Sequence, residues 1–294
     1  MGLTTLGVWA GTDELSAAQT AAFAQRVEAW GYGCLWIPEA VGREVFSACA
    51  WLLANTSQLV IASGIANIYA RDPLSAAAAQ KGLNEQSGDR FLLGLGVSHI
   101  PLVEGVRHLS YGKPVATMRT YLRGMKDAPY GAVAPSLPPQ TILAALGPKM
   151  LELSGEEADG AHPYNVPPEH TLKARALLGP GKLLCVEQGV ILETDSAQAR
   201  SIGRRFLALY LGLPNYVDNW RRLGFADADF AGGGSDRLID AVLAWGDEKA
   251  IRARIQEHWQ AGADHVCIQA IGPAGRCDER LLALLAPDPE RRPA

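Results

Sequence analysis

Residues 141–160 have the sequence TILAALGPKMLELSGEEADG, in which an apolar strand turns directly into a helix. The run from Ile142 to Leu146 predicts a buried strand, and Pro148 suits the first helical position, where a backbone N–H would have no partner. Gly147 permits the tight turn between them. The N–H groups that open the helix, together with Lys149, would favour an anion. The segment predicts one β/α unit, and its corner is either an anion site or an ordinary strand-to-helix turn.

The same alternation of strand and helix extends along the chain. The predicted strands cover 3–9, 34–37, 59–65, 91–97, 141–146, a short stretch near 161, 183–192 and 265–271. The predicted helices cover 16–30, 45–54, 73–86, 114–126, 169–178 and 247–261, with two more that begin at 148 and 195. Parallel strands that are covered on both faces form continuous apolar runs such as these. Eight units predict an α/β fold, a (β/α)8 TIM barrel with loop insertions, as a single domain over 1–294.

A doubly wound Rossmann sheet is the alternative arrangement of such units. It requires a Gly-x-Gly-x-x-Gly turn after its first strand. The segment Gly94-Leu95-Gly96-Val97-Ser98-His99 has only two of the three glycines and lies on the fourth strand. We therefore reject the Rossmann sheet. In the barrel, the glycine-rich stretch 227–235 predicts a mobile loop over one end.

Composition excludes several classes of protein. The chain has 294 residues, of which 48% are hydrophobic and 20% are charged, and its net charge is −4. This balance predicts a large core and neither a nucleic-acid nor a membrane-surface partner. No apolar run reaches transmembrane length, and the N-terminus lacks the basic and apolar regions of a signal peptide. We therefore expect a soluble cytoplasmic protein.

The cysteines indicate a reducing compartment. The five are Cys34, Cys49, Cys185, Cys267 and Cys277, and no two form a CxxC pair. Cys34, Cys185 and Cys267 lie in apolar strand-like runs, where cysteine usually serves as a small hydrophobic residue. This distribution argues against disulfides and against a zinc site. No group of histidines and carboxylates has the spacing of metal ligands either, so we expect no metal.

In a (β/α)8 barrel, functional side chains collect at the carboxyl ends of the strands. Here those ends carry titratable, aromatic and anion-binding groups, as an active site needs. In strand order the residues are Trp9, Glu39, Asn67, Ser98, His99, Gly147 to Met150, His162, Tyr164, Glu187, Gln188 and Gln269. We assign Trp9 and Gln188 to the substrate pocket. The alternatives are that Trp9 packs the barrel mouth and that Glu187 or Gln188 makes structural hydrogen bonds inside the barrel.

Four segments are distinctive when they are taken together. They are GYGCLWIPE (31–39), SGIANIYARDP (63–73), DRFLLGLGVS (89–98) and the Gly147-Pro148-Lys149-Met150 helix start that leads to Ala158-Asp159-Gly160. In this order and spacing, over most of the chain, they resemble the bacterial luciferase-like superfamily. The resemblance is to its deazaflavin-dependent branch, which uses coenzyme F-420. The helix start is most similar to that of the methylene-tetrahydromethanopterin reductases.

The resemblance implies a binding site for the cofactor. In the family the third strand carries a non-proline cis peptide behind the deazaflavin ring, and that bond matches Gly64–Ile65. Asn67 and Ser98 match positions near the ring. The corner formed by Gly147, Pro148, Lys149 and Met150 matches the site of the cofactor's phosphate. We therefore expect these residues to bind coenzyme F-420, with flavin mononucleotide (FMN) as the alternative cofactor.

The resemblance also implies an activity, namely hydride transfer between coenzyme F-420 and a small organic substrate that the sequence does not identify. Glu39 matches an acidic residue near the reacting centre, and His99 matches a position where some members have a glutamate. We expect both to be catalytic. Several deazaflavin-dependent dehydrogenases have a histidine directly after that acidic residue, where this chain has Ala40.

Two other functions remain open at this point. One is an FMN-dependent luciferase-like monooxygenase, and the other is a barrel that binds a flavin or deazaflavin without turnover, which the absence of the histidine at Ala40 allows. The resemblance further implies a homodimer. The cluster Trp220-Arg221-Arg222 is expected on a solvated or interface helix.

Overall fold

The bounds of the strands and helices come from a computed structural model, which describes residues 3–273 and 275–287. Residues 1–2, 274 and 288–294 of the predicted domain lie outside the described residues. The strands are β1 (Leu6–Trp9), β2 (Cys34–Ile37), β3 (Val60–Ser63), β4 (Ala66–Asn67), β5 (Phe91–Gly96), β6 (Thr141–Ala144), β7 (Gly160–His162), β8 (Leu183–Leu192), β9 (Ala244–Gly246) and β10 (His265–Ala270).

The helices alternate with these strands. They are α1 (Ala17–Ala29), α2 (Val45–Ala54), α3 (Pro73–Ser87), α4 (Pro114–Lys126), α5 (Pro148–Glu157), α6 (Pro168–Leu178), α7 (Ser196–Leu211), α8 (Pro214–Arg222), α9 (Asp227–Phe230), α10 (Asp236–Val242), α11 (Glu248–Gln260) and α12 (Glu279–Leu284). A π-helical turn spans Pro101–Val106, and a 3-10 turn spans Ala231–Gly233. Within the part of the chain that the structure describes, no helix is long and apolar enough to cross a membrane.

Parallel pairing closes the sheet into a barrel. Strands β1, β2, β3, β5, β6, β7 and β8 pair in this order, and β10 pairs with both β1 and β8. The short strand β4 pairs with β5 and continues the direction of β3, so β3 and β4 together occupy one of eight positions. Strand β9 pairs in parallel with the carboxyl-terminal residues of β8 and lies outside the barrel. The predicted (β/α)8 fold is confirmed.

Local signals set the ends of the helices. Ser16 and Gln19 form a capping box at the start of α1, in which each side chain accepts a hydrogen bond from the other's backbone N–H. The Asp72 side chain caps α3, whose first residue is proline, and Gly88 ends it with a left-handed backbone. These short-range signals are visible in the sequence, and the predicted bounds of α1 and α3 differ from the observed ones by a single residue.

The barrel interior and the layer outside it form separate apolar clusters. The interior cluster contains Trp9, Cys34, Trp36, Val60, Ala62, Leu92, Ile142, Cys185 and Cys267. The thiols of Cys34, Cys185 and Cys267 are free and buried, as their positions in apolar runs predicted. A much larger cluster fills the space between the strands and the surrounding helices. Among the described residues, no group of three His, Cys, Asp or Glu side chains could hold a metal ion.

The prediction of a mobile loop at 227–235 is wrong, because this stretch is folded. It forms α9 and the 3-10 turn, and Asp229 accepts hydrogen bonds from the Ala226 N–H and the Ser235 hydroxyl. Ser235 then caps α10. Together with α7 and α8, α10 forms a second apolar cluster beyond β8, which the glycine run conceals in the sequence.

Candidate active site at the carboxyl ends of the strands

An apolar floor lies at the carboxyl end of the barrel, where β3 gives way to β4. The peptide bond between Gly64 and Ile65 is cis, as the family resemblance implied. Gly96 faces the Ile65 side chain, and a Cβ built on Gly96 would lie 2.4 Å from Ile65 Cδ1 and 3.3 Å from the Cβ of Ala144. A side chain at position 96 would therefore displace Ile65, and glycine lets the half-buried Ile65 pack closely on β5 and β6.

Trp9 supports this floor from the barrel interior. Its indole N–H donates a 2.9 Å hydrogen bond to the carbonyl of Gly64, and its ring packs 5.2 Å from the ring of Tyr164. Because the indole N–H is already used, Trp9 offers an apolar surface to any ligand at the mouth. The structure thus places Trp9 at the mouth, where the sequence analysis put either a pocket residue or a packing residue.

Asn67 has an unsatisfied donor at the edge of the floor. Its side-chain Oδ1 accepts from the N–H of Tyr69 at 2.9 Å, and its own N–H donates to Glu39 at 2.7 Å. The side-chain Nδ2 is buried and has no partner among the described residues. A buried donor without a partner costs about 1–3 kcal/mol. Such an atom at the end of a barrel strand marks a position where a ligand can accept a hydrogen bond.

Glu39 is held in an ion pair. Both its oxygens accept from the guanidinium of Arg71, and they also accept from the N–H groups of Asn67 and, at 3.5 Å, Val45. The side chains of Glu39 and Arg71 are only 4% and 10% exposed. The structure therefore places Glu39 behind Asn67, where it fixes the backbone that carries the unsatisfied amide.

Ser98 and His99 lie where β5 leads into the π-helical turn. Ser98 has a φ of +58°, and its carbonyl accepts from the hydroxyl of Tyr111 at 3.2 Å. The His99 carbonyl accepts from two N–H groups of the turn. Its ring lies 5.9 Å from the ring of Tyr216, and burial lowers the pKa of His99 below its usual range, although Asn215 opposes the shift. His99 thus caps the turn with its backbone and faces the aromatic cluster with its ring.

The Gly147 corner contains a cation that the sequence analysis did not associate with it. A Cβ on Gly147 would lie 3.4 Å from a guanidinium nitrogen of Arg222, which ends α8. Lys149 is exposed beside it. The N–H of Met150 is used within the turn, where it donates to the carbonyl of Gly147 at 3.1 Å, and its side chain is buried. The corner therefore offers the amides of Gly147 and Lys149 and two cations, but not the amide of Met150.

The expectation for the Trp220-Arg221-Arg222 cluster is corrected in part. Trp220 is completely buried and donates from its indole N–H to the carbonyl of Asn165 at 3.1 Å. Arg221 and Arg222 are both exposed, as expected for a solvated helix face, and Arg221 pairs with two exposed aspartates. By anchoring α8, Trp220 brings Arg222 to the Gly147 corner.

Gln188 does not line the site, which corrects its assignment to the substrate pocket. Its side chain is buried outside the barrel, where it donates to the carbonyls of Gly189 and Val242 and accepts from the ring of His258 at 2.9 Å. Successive side chains of a strand point to opposite faces. The residue of this pair that faces the interior is therefore Glu187.

Glu187 is a buried carboxyl group that forms no ion pair with any residue in 3–273 or 275–287. One oxygen accepts from the N–H of Asn165 at 2.9 Å, and the other is buried without a partner among the described residues. Burial raises the pKa of Glu187 to about 8, and the hydrogen bond from Asn165 offsets only part of that shift. The carboxyl group is therefore mostly protonated at neutral pH.

Two tyrosines and a glutamine adjoin Glu187 at the mouth. The hydroxyl of Tyr164 donates to Gln269 at 2.7 Å and lies 2.8 Å from the hydroxyl of Tyr210. Tyr216 packs against both rings. Tyr164, Glu187 and Gln269 are expected at strand ends from the sequence, and the role considered there for Glu187 is structural hydrogen bonding inside the barrel. The alternation of side chains along β8 is the signal that would have separated Glu187 from Gln188.

Known proteins resemble this chain in sequence and in fold. The model of a family described as luciferase-like monooxygenase matches residues 1–265. A Mycobacterium tuberculosis protein, provisionally named a coenzyme F-420-dependent oxidoreductase, is 24% identical, and the match covers 92% of this chain and 94% of that one. The 5,10-methylenetetrahydromethanopterin reductase of Methanolobus tindarius is 27% identical, with 90% and 93% covered. The coenzyme F-420-dependent tetrahydromethanopterin reductase structure from Methanopyrus kandleri has a TM-score of 0.70 at 18% identity, with 96% of each chain covered.

Proposed function

The chain belongs to the luciferase-like monooxygenase family of oxidoreductases, and from that premise we propose that it carries out hydride transfer between coenzyme F-420 and a small organic substrate. The observation that carries the proposal is the apolar floor with a free donor at its edge. Ile65 on Gly96 supplies a surface for a planar ring, and Asn67 Nδ2 supplies a hydrogen bond to it. The name of one relative, the Mycobacterium tuberculosis protein, supports the choice of cofactor.

The residues at the Gly147 corner fit the phosphate of this cofactor. The amides of Gly147 and Lys149 point out of the start of a ten-residue helix, where an anion is favoured. Arg222 adds a guanidinium that matches phosphate geometry, and Lys149 adds a point charge. We propose that these three residues hold the phosphate while Ile65 and Asn67 hold the ring.

The protein's own contribution to the chemistry is to position the partners and to donate and accept protons. Glu39 holds Asn67 and Arg71 in place through its ion pair, so we assign it a positioning role in this proposal. Glu187 keeps a proton at neutral pH on a carboxyl group that faces the barrel interior. His99 faces the same aromatic cluster through Tyr216, and its lowered pKa leaves the ring neutral and able to accept a proton. We propose that Glu187 would donate a proton to the substrate as the hydride is added to it, and that His99 would accept the proton given up by the oxidised cofactor.

An FMN-dependent monooxygenase is the second candidate, because the matching family carries that description. Two measurements separate the candidates. Direct titration gives the dissociation constants of coenzyme F-420 and FMN, and we expect F-420 to bind more tightly. Single-turnover bleaching of reduced F-420 by test carbonyl compounds is then followed without oxygen. Hydride transfer proceeds anaerobically, monooxygenation requires oxygen, and a barrel that only binds its cofactor gives no bleaching.

FMN binding that is tighter by more than about tenfold, or roughly 1.4 kcal/mol, would favour the monooxygenase. The same bleaching assay tests the residues that handle protons. In Glu187→Gln and His99→Asn we expect turnover to fall by about 10²–10⁴-fold with little change in cofactor affinity. Glu39→Gln is the matched control, because it removes a carboxylate that we assign to positioning. If Glu39→Gln alone lost turnover at unchanged cofactor affinity, the original assignment of Glu39 as catalytic would replace ours.

A further inference from the structure

A cleft of about 390 Å³ lies next to the Glu39–Arg71 ion pair, between the loop that follows β2 and the π-helical turn. Glu39 and Arg71 form its inner wall, so the cleft adjoins the residues that hold Asn67. Its outer wall includes Val41 and Val106, whose side chains are 76% and 58% exposed. The cleft therefore joins an apolar rim to a charged interior at the same end of the barrel as the site described above.

Three arginines line the cleft, and two of them are bonded within the protein. Arg71 is paired with Glu39 and Glu44. Arg43 donates from both terminal nitrogens to the carbonyls of Thr12 and Leu15. Both guanidinium groups are therefore held in place by other residues of the protein.

Arg107 is the third arginine, and its guanidinium has no partner among the residues that the structure describes. It forms no ion pair and no side-chain hydrogen bond, and its Nε is buried. It follows directly after the π-helical turn, and its backbone N–H donates to the carbonyl of Leu102 and holds the turn closed. A buried guanidinium N–H without an acceptor is costly, so its retention points to a ligand.

The chemistry of that ligand follows from the lining. A guanidinium presents a planar fork of donors that matches a carboxylate in a bidentate manner. The exposed Val41 and Val106 beside it favour an apolar body on the same molecule. The lining holds three guanidinium groups and two carboxylates, and both carboxylates contact Arg71, so the formal charge of the cleft is +1 and favours an anion.

We propose that Arg107 binds the carboxylate of an apolar organic acid in this cleft, and that this acid is the substrate. The identification of this acid as the substrate rests on the proposed oxidoreductase function. The assignment of a carboxylate ligand to Arg107 rests on the lining of the cleft alone. An acidic part of the cofactor is the other possible source of the same group, and the experiment separates the two.

Benzoate and benzamide are suitable probes, because they share an apolar ring and differ in charge. Titration calorimetry of the full chain should show benzoate binding at least about tenfold more tightly than benzamide. Arg107→Gln should abolish that preference, and Arg107→Lys should keep part of it. Arg205→Gln is the matched control, since Arg205 is an exposed arginine on α7 that contacts only a serine hydroxyl and a carbonyl. It changes the net charge equally and should bind like the wild type.

Arg107→Gln should fold normally, because its side chain makes no hydrogen bond, and urea denaturation checks this. Equal binding of the two probes by the wild type, or a preference that survives Arg107→Gln, overturns the proposal. A second titration measures F-420 affinity with benzoate present. Unchanged affinity supports a substrate site, whereas competition assigns the cleft to the cofactor and overturns the substrate assignment. Because probe binding needs neither cofactor nor turnover, a preference for benzoate in a protein that fails the bleaching assay would separate this proposal from the proposed function.

Discussion

Glu39 and Glu187 are both buried carboxyl groups at the carboxyl end of the barrel, yet their surroundings are opposite. Glu39 follows β2 and accepts bonds from a guanidinium and two backbone N–H groups. Glu187 lies within β8, accepts a single N–H and pairs with no cation among the described residues. A paired carboxylate stabilises its neighbours, whereas an unpaired one in an apolar interior keeps its proton.

This difference divides the mouth into two sides with different tasks. On the Glu39 side, the ion pair fixes β4 and forms the wall of the cleft. On the Glu187 side, the groups near the carboxyl are Tyr164, Tyr210 and Tyr216, all of which burial keeps neutral by raising the pKa. A proton can be stored on this side at neutral pH, and a fixed geometry is maintained on the other. The following predictions test that division, starting with the largest effect.

Removing Arg71, the cation on the Glu39 side, should have the largest effect on the stability of the protein. Arg71→Ala leaves the Glu39 carboxylate buried without its counter-charge, which typically destabilises a protein by about 3–5 kcal/mol. The free energy of unfolding in urea is the measurement. Arg71→Met combined with Glu39→Gln is the control, because it removes both charges and should cost less than Arg71→Ala alone. If the double variant were the less stable of the two, the pair would matter for packing and not for charge.

The raised pKa of Glu187 should be visible in the pH dependence of stability. The pKa of Glu187 is about 8 in the folded protein, above the ordinary value near 4.5 that applies when unfolded. Between those values the folded state binds more protons, so stability falls as pH rises. Between pH 6.5 and 8 the fall should be roughly 1.5 kcal/mol. Glu187→Gln keeps the shape and should flatten this slope.

The window is chosen to avoid the buried histidines, whose effect has the opposite sign. Burial lowers the pKa values of His162 and His265 to about 4, and that of His258 to about 3. Below the ordinary histidine value of about 6.5 the unfolded state binds more protons, so stability rises with pH there. A slope above pH 6.5 that Glu187→Gln leaves unchanged would place the responsible group elsewhere.

The fold was predictable because its signals are short-ranged. The bounds predicted for β2, α2, α4 and β8 are identical to the observed ones, since each is a continuous apolar or amphipathic run between clear turn residues. The luciferase-like resemblance, confirmed by the family match, rested on segments of the same kind. In contrast, α9 and α10 flank a run of glycines, and α10 packs against α7 in a shared apolar cluster. No local pattern predicts that packing.

For the candidate site, the sequence predicted which residues lie at the ends of strands but not which of them contact one another. The sequence places Glu39, Asn67 and Gly147 at the carboxyl end of the barrel, but it does not show that Arg71 neutralises the first or that Arg222 reaches the third. Those contacts join residues that are distant along the chain. The choice of Gln188 over Glu187 failed for a simpler reason, because a shift of one residue along a strand reverses the face.

The smallest effect should come from Glu44, the second carboxylate that contacts Arg71. It lies 2.9 Å from the guanidinium, but its side chain is 50% exposed, so water screens the pair. It also caps α2 by accepting from the N–H groups of Phe46 and Ser47. Glu44→Gln keeps an amide oxygen for one of those bonds and loses a favourable charge at the helix start, so we expect a loss of about 1 kcal/mol or less. Urea denaturation at low and at high salt is the measurement, and the loss should shrink with salt because the pair is exposed. A loss as large as that of Arg71→Ala would mean that Arg71 is held mainly from the surface, and Glu39 would then not be the buried partner on which this side of the mouth depends.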